Sequence, residues 1–522
     1  MRKLEKRQII KNVGSSWISL GLNIVVGILL SPFILHRLGD AAFGIWVLIF
    51  SVTGYYGLFD LGIRSSIVRY VAKFSATEDT EDLAKLVNTS LFSYTLIGVA
   101  CMVVTVLVCL FVDHLFHIPA EFHDTARWLL LMVGASVALG FPLGIFGGYL
   151  EGLQKFYILN WTNIAATLLR AVFIVVFLNR GYGLLTVAFI TVFLPLVTSV
   201  IRSVLALRIQ PVAFGRRFVD RDTFRQMANY SGITFIIILA ARLKFKTDEI
   251  VIGAFLSATA ITYFNIGARI VDYAGEVVVS LSQIFVPMSS QSDAVGNMNR
   301  LRKIFVAGNR LCAFTIFPIC AILVISGKSV IEAWVGSKYI ATSYPVMLIL
   351  VLPTTLMLAQ GASSRVLFGM GKHGTWAVVS LIEGVSNLVL SILLVRPYGI
   401  IGDAVGTAIP LTCSMVFFMP SHLCKRLGIR LQTFLREAYL LPLLACLPLI
   451  AVLLLMQRWF VAHTYRQLAV HLLAAGSAYG LCLLWAFMSN EALRVGELTE
   501  KEAVHTDVQD EEPLVETFRE EV

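Results

Sequence analysis

Five ionisable residues, Arg242, Lys244, Lys246, Asp248 and Glu249, crowd into a stretch otherwise apolar enough to cross a membrane. A charge in hydrocarbon costs at least about 2.5–3.5 kcal/mol on insertion scales, so it faces a cavity or a partner. If the segment enters at Tyr230, Arg242 lies about 18 Å in, near mid-membrane. On an unbroken helix Arg242, Lys246 and Glu249 share one face, and Lys244 pairs with Asp248 at i, i+4. The next apolar segment adds Arg269, Asp272 and Glu276, spaced i, i+3, i+7. Arg170 lies in an earlier segment, and Glu383 with Asn387 in a later one.

Two chemistries follow. A guanidinium grips phosphate oxygens in a bidentate way. Arg242 and Arg269, with Lys246 and Arg170, are therefore candidates for binding an anionic substrate. The acids Asp248, Asp272, Glu276 and Glu383 are candidates for a sodium ion, a proton or a cationic drug. The plainer alternative is mutual neutralisation, Lys244 with Asp248 and Lys246 with Glu249. Asp60, beside Arg64 at a span end, reads as an interfacial pair or cap.

Other chemistries are excluded. Ser326-Gly-Lys-Ser329 lacks the spacing and preceding strand of a phosphate-binding loop. The eight cysteines form no CxxC pair and lie almost entirely in apolar segments, as packing residues do. No metal or cofactor is implied. Asn88-Thr-Ser90 fits a glycosylation sequon but falls on the inner side of the topology given below, so it is a chance match.

The positioning elements are membrane helices. Of 522 residues 57% are hydrophobic and 14% charged, whereas soluble chains carry roughly 25% charged residues. The +9 net charge is unevenly spread. The segment from Glu491 onward holds about 11 acids and 3 bases, leaving about +17 elsewhere. A basic excess on a membrane protein marks cytoplasmic loops, and no segment has the basic soluble surface that nucleic acid requires. The basic N-terminus lacks a cleavage site and reads as a retained first helix.

The chain is also written twice. Gly152-Leu-Gln-Lys155, an apolar helix, Arg180-Gly-Tyr-Gly-Leu-Leu and a helix broken at Pro195 recur as Gly369-Met-Gly-Lys372, an apolar helix, Arg396-Pro-Tyr-Gly-Ile-Ile and a helix broken at Pro410. The offset of about 216 residues far exceeds the periods of solenoids, roughly 20–50. Two similar halves are what a rocking transporter with a central site needs. Aligning them sets Ser51 opposite Arg269, so that charge belongs to one half only.

Hydropathy predicts an all-α integral membrane protein with about fourteen spans: 13–36, 41–62, 86–112, 127–150, 157–178, 184–207, 230–254, 259–286, 306–326, 343–364, 374–394, 400–423, 438–456 and 466–488. They divide into a six-helix bundle (1–210), a cytoplasmic linker (211–229), a second six-helix bundle (230–427), two extra helices (428–490) and an acidic, disordered cytoplasmic tail (491–522). With both termini in the cytoplasm, inner loops hold roughly 24 basic residues before the tail and outer loops about 8. Ile63 to Phe74 reads as an amphipathic cytoplasmic extension of the second span.

Leu38-Gly-Asp-Ala-Ala-Phe-Gly-Ile-Trp46, Phe59-Asp-Leu-Gly-Ile63 and Arg69-Tyr70 resemble the first two helices of the polysaccharide flippases, in the multidrug/oligosaccharidyl-lipid/polysaccharide exporter superfamily. Asp248-Glu-Ile-Val-Ile-Gly253 with Ala268-Arg269 resembles the seventh and eighth helices. Gly399-Ile-Ile-Gly402 with Gly406-Thr407 resembles the twelfth. The likeness covers most of residues 10–425. It implies two bundles around a central cavity that should be cationic and wet. The implied substrate is a polyprenyl-pyrophosphate oligosaccharide, moved across the lipid bilayer of a bacterial-type inner membrane. The implied protein is a transporter and not an enzyme, with a polysaccharide polymerase or glycosyltransferases as candidate partners. A sodium- or proton-coupled drug exporter of the same superfamily is the alternative; fourteen helices suit the lipid-linked sugar branches better.

Overall fold

The computed structural model describes residues 2–60 and 62–489. Every element among them is helical. The acidic segment 491–522 lies outside the described residues.

The first half comprises α1 (Arg2–Leu38), α2 (Asp40–Gly54), α3 (Ile63–Ala76), α4 (Thr80–Leu115), α5 (His123–Gly152), α6 (Phe156–Asn179) and α7 (Leu184–Ile209). The second comprises α8 (Arg221–Phe245), α9 (Asp248–Phe255), α10 (Ala258–Ser282), α11 (Phe285–Ala294), α12 (Met298–Val335), α13 (Ile340–Ala359), α14 (Gly361–Gly369), α15 (Gly374–Cys413) and α16 (Met419–Leu427). Beyond it, α17 (Leu431–Leu435), α18 (Leu441–Ala445) and α19 (Leu447–Trp459) run as one span, and α20 (Tyr465–Ser489) returns.

Side-chain caps start several helices. Asp79 accepts from the Asp82 amide at 3.0 Å, Asp220 from Thr223 at 2.7 Å and Ser257 from Ala260 at 3.2 Å. Each satisfies an amide that the first helical turn leaves without a partner.

Twelve stretches of the described residues are long and apolar enough to cross a membrane. One, Gly374–Leu427, is two spans. Its chain reverses at Gly399, whose φ of 60° and ψ of −143° suit a residue without a Cβ. The hydroxyl of Ser391 then reaches the Asp403 carbonyl at 3.4 Å. The charged pair α8–α9 lies outside the twelve, and adding it brings the described spans to fourteen. α3 forms as expected but is not a continuation of α2. A tight turn over Tyr55–Asp60 and a left-handed Gly62 (φ 78°) separate them.

One face of the molecule carries the basic loops, and the opposite face carries Asp40. At the opposite face a single core joins the halves: Ile34, Leu35, Ile45 and Leu48 pack with Ile261, Phe264, Trp334 and Val346. Helix association in lipid relies on close backbone approach, and Gly44 supplies it. A Cβ there would lie 1.8 Å from the Ala258 carbonyl oxygen. Asp40 ties the same seam. It accepts from the hydroxyls of Tyr339 (2.6 Å) and Tyr263 (3.3 Å) and pairs with Lys338. Trp334 donates to the Ile28 carbonyl at 2.7 Å. At the basic face there are two cores, one around Tyr149 and Ile67, which takes in Met227 at the start of α8, and one around Phe305 and Phe434; Ser66 of α3 donates to the Met227 carbonyl at 3.1 Å.

The linker before α8 is fastened to the first half. Asn88 donates to the Ala213 carbonyl at 2.9 Å and accepts from the Gly215 amide at 3.0 Å. Asn88 is thus a buried anchor within the sequon-like triplet.

Candidate functional site

The seventh span breaks where its charges cluster. α8 ends at Phe245, Lys246 leaves helical geometry (φ −135°, ψ 9°), and α9 begins at Asp248. Broken helices occur at membrane depth where the freed backbone groups find other partners. Here the Leu243 carbonyl accepts from the Thr247 hydroxyl at 2.7 Å, and the Lys244 carbonyl from the Asn387 amide nitrogen at 3.1 Å. Tyr55, from the first half, bonds the Thr247 hydroxyl at 2.7 Å and donates to the Arg242 carbonyl at 3.2 Å.

The break corrects the helical pairing expected from spacing. Lys244 and Asp248 lie on different helices, and Lys244 pairs with Glu383 on α15 instead. Both are buried, and Glu383 also accepts from the Ser414 hydroxyl at 2.7 Å. Likewise Arg242, Lys246 and Glu249 no longer share one continuous face, because the i, i+4, i+7 rule requires an unbroken helix. Asp60 accepts from Tyr94 and from the backbone of Gly62 and Arg64, so of the two expected roles, pair or cap, it serves as a cap at the start of α3, while Arg64 reaches Glu151 at 2.6 Å.

Beyond the break lies a cavity of about 370 Å³ within the second half, between α8–α9, α10, α13 and α15. Lys246, Asp248, Arg269, Asp272 and Glu276 all line it, as does Glu249. The expected cluster is therefore largely brought together. The lining is not simply cationic: Lys244, Lys246 and Arg269 face Asp248, Glu249, Asp272 and Glu276. Arg269 lies over the Tyr273 ring, 4.8 Å from its centroid, and reaches Asp272 only at 3.9 Å. Arg242 stands outside this lining, its guanidinium facing Gly57 of the first half. Arg170 lies in a separate cavity of the first half.

A buried acidic group adjoins the cavity. Asp248 accepts from Thr407 at 3.0 Å, and Thr407 also reaches the Asn387 side-chain oxygen at 3.2 Å. Asp403 is fully buried, and among the described residues its carboxylate has only the nearby Ser391 hydroxyl to turn to, which is shared with Asn387 at 3.1 Å and the Asp403 carbonyl at 3.4 Å; one oxygen of Glu249 is bare. Asp403 lies within the field of Asp248 and Glu249. Such a group favours a proton or cation as counter-charge. Among the described residues no set of three or more His, Cys, Asp or Glu is arranged to hold a metal ion. Asp403 and Thr407 were missed as site residues because they stand only four and eight places past the reversal at Gly399, where depth is hard to read from sequence. Thr407 was visible only as part of a packing motif.

A family model described as polysaccharide biosynthesis protein matches residues 9–293. The putative O-antigen transporter of Shigella flexneri is 21% identical over 407 residues, covering 77% of this chain and 94% of its own. Among solved structures, the lipid II flippase MurJ in an inward closed conformation has a TM-score of 0.72 at 16% identity, covering 93% of this chain and 100% of that one. An inward-facing multidrug resistance MATE family transporter of the MOP superfamily has a TM-score of 0.68 at 15% identity, covering 82% and 99%. These structures share the fold, and the match over more than half of its length makes this chain a member of the polysaccharide biosynthesis protein family.

Proposed function

We propose that this protein is a flippase for a lipid-linked oligosaccharide, carried on a polyprenyl pyrophosphate from the cytoplasmic to the outer leaflet by alternating access. One observation carries the reading. The two bundles share one core at the Asp40 face, whereas at the basic face their cores divide, bridged at the start of α8, and a charged cavity lies within the second half at membrane depth. That is the arrangement of a carrier closed on one side. The basic face is taken as cytoplasmic, with both termini there and the chain in a bacterial-type inner membrane. The names of the relatives, an O-antigen transporter and a lipid II flippase, support the same substrate class.

Arg269 and Lys246 would meet the pyrophosphate in the second half, with Arg242 at the seam and Arg170 in the first half. Export of negative charge is favoured in an inside-negative cell by about 2.3 kcal/mol per charge per 100 mV. The four acids of the cavity support a second element, coupling to a sodium ion or proton through Asp248, Asp272 and Glu276. Glu383, paired with Lys244, would serve by holding the broken helix. If the acids alone did the work, the protein would be a cation-coupled drug exporter.

The test is lipid analysis of a deletion strain. A polyprenyl-pyrophosphate oligosaccharide should accumulate on the cytoplasmic leaflet, and wild-type protein but not Arg269→Ala should clear it. No accumulation, with new sensitivity to cationic dyes, would favour the drug exporter.

A further inference from the structure

A second cavity, of about 280 Å³, lies between α1, α6 and α7. Its charged lining residues are Arg170 and Arg202; Asn23, Asn163, Thr167 and Thr198 supply polar groups, and no carboxylate lines it. Arg202 is fixed by neutral groups alone. It donates to the Thr162 hydroxyl at 2.8 Å, the Leu159 carbonyl at 3.0 Å and the Asn163 side-chain oxygen at 2.7 Å. Glu151, whose field reaches Arg202, is engaged with Arg64 at 2.6 Å and forms no direct ion pair with Arg202. Arg170 has no hydrogen-bond or ion-pair partner among the described residues. Two cations without a counter-ion inside a bilayer are costly unless an anion comes to them.

We propose that this cavity is a phosphoryl-binding site of the first half, in which Arg202 and then Arg170 receive the pyrophosphate of the transported lipid. The inference rests on the flippase reading and adds a division of labour. The first-half cavity, lined by two bases and no acid among the described residues, holds the anion before it meets Arg269 and Lys246; the second-half cavity, whose lining acids outnumber its bases, also takes the coupling cation. Depth orders the steps. At about 1.5 Å per residue Arg202 lies roughly 10 Å from the Ile209 end of α7, and Arg170 roughly 21 Å from the Phe156 end of α6. Both ends are on the basic face. Arg170 is also about 14 Å from the Asn179 end of α6, so a phospholipid phosphate at either surface of a hydrocarbon layer about 30 Å thick does not reach it unless it is carried inward. This favours the carried headgroup over a resident lipid.

The experiment uses full-length protein in nanodiscs of uncharged lipid, with farnesyl pyrophosphate as probe and farnesol as its uncharged control. Arg170→Gln and Arg202→Gln should each weaken probe binding about tenfold or more, the loss expected for one charge-assisted pair. Arg170→Lys should recover part of it, since it keeps the charge but not the bidentate fork. Because Arg170 makes no bond to the protein, Arg170→Gln should melt at or above wild type, which keeps the test valid if Arg202→Gln folds poorly. Unchanged binding in Arg170→Gln and Arg202→Gln, with loss in Arg269→Gln, would overturn this site and leave the flippase reading intact. Full displacement of the probe by equimolar phosphatidylglycerol would assign the cavity to a resident lipid and overturn the proposal. Wild-type protein that binds farnesyl pyrophosphate no better than farnesol would remove both readings.

Discussion

Lys244 and Glu383 form an ion pair buried between α8 and α15, two residues before the seventh span loses its helical path. The pair holds the broken helix against its neighbour, and removing one partner strands the other charge in a low dielectric. The expected loss is about 3–5 kcal/mol for Lys244→Met or Glu383→Gln, with the double variant Lys244→Met/Glu383→Met closer to wild type. Melting of the detergent-solubilised protein measures this. Equal melting of single and double variants would show that the pair does not hold the helix.

The seam at the Asp40 face should respond to three substitutions in a ranked order. Lys338 is mostly exposed, and exposed pairs contribute about 0.2–1 kcal/mol, so Lys338→Ala should have little effect. Asp40→Ala loses bonds from Tyr339 and Tyr263 as well and should act more strongly. Gly44→Leu places a side chain where a Cβ already lies 1.8 Å from a carbonyl oxygen, so the seam cannot close. The readout is labelling of Ile261→Cys, a fully buried position, by a membrane-impermeant maleimide in a background lacking the native cysteines. Labelling should rise from Lys338→Ala to Asp40→Ala to Gly44→Leu; a flat series would refute the seam as the closed gate.

The all-helical membrane fold, the two halves and the α3 amphipathic helix were legible in the sequence because each depends on local hydropathy and spacing. The break at Lys246 was not. Spacing rules assume an unbroken helix, and the partners that hold this break, Asn387, Thr407 and Tyr55, come from distant segments. Lys246, Arg269, Asp272 and Glu276 line one cavity, as charges within a span do when they lack a close partner, whereas Arg242, expected beside Arg269, does not line it. That Lys244 prefers Glu383 to Asp248 is a tertiary fact with no sequence signal. Arg202 was overlooked because it lies near a span end, where a basic residue ordinarily reaches the interface.

Export should depend on Arg269 in a way that charge alone does not repair. Its guanidinium lies over Tyr273 and has only a long contact to Asp272, so it is available to a ligand. Arg269→Ala should cut surface polymer by about tenfold or more, and Arg269→Lys should restore only part, since an ammonium lacks the bidentate fork. Arg242→Ala should give a similar loss without lowering protein level, because no acid pairs with Arg242 among the described residues. Normal polymer output from both alanine variants would remove these arginines from the site.

Asp403 should trade stability for function. Its carboxylate is fully buried with at most a shared Ser391 hydroxyl as donor among the described residues, and Asp248 and Glu249 add like charge. An unsatisfied buried polar group costs about 1–3 kcal/mol, so a residue selected for folding alone would not be acidic there. Asp403→Asn keeps the shape, removes the charge and should raise the melting temperature. If the acid exists to bind a coupling cation or proton, the same variant should export slowly and lose its response to an imposed sodium or pH gradient. Greater stability with normal, gradient-responsive export would place the cation elsewhere, at Asp272 and Glu276, which face the open cavity beside Arg269.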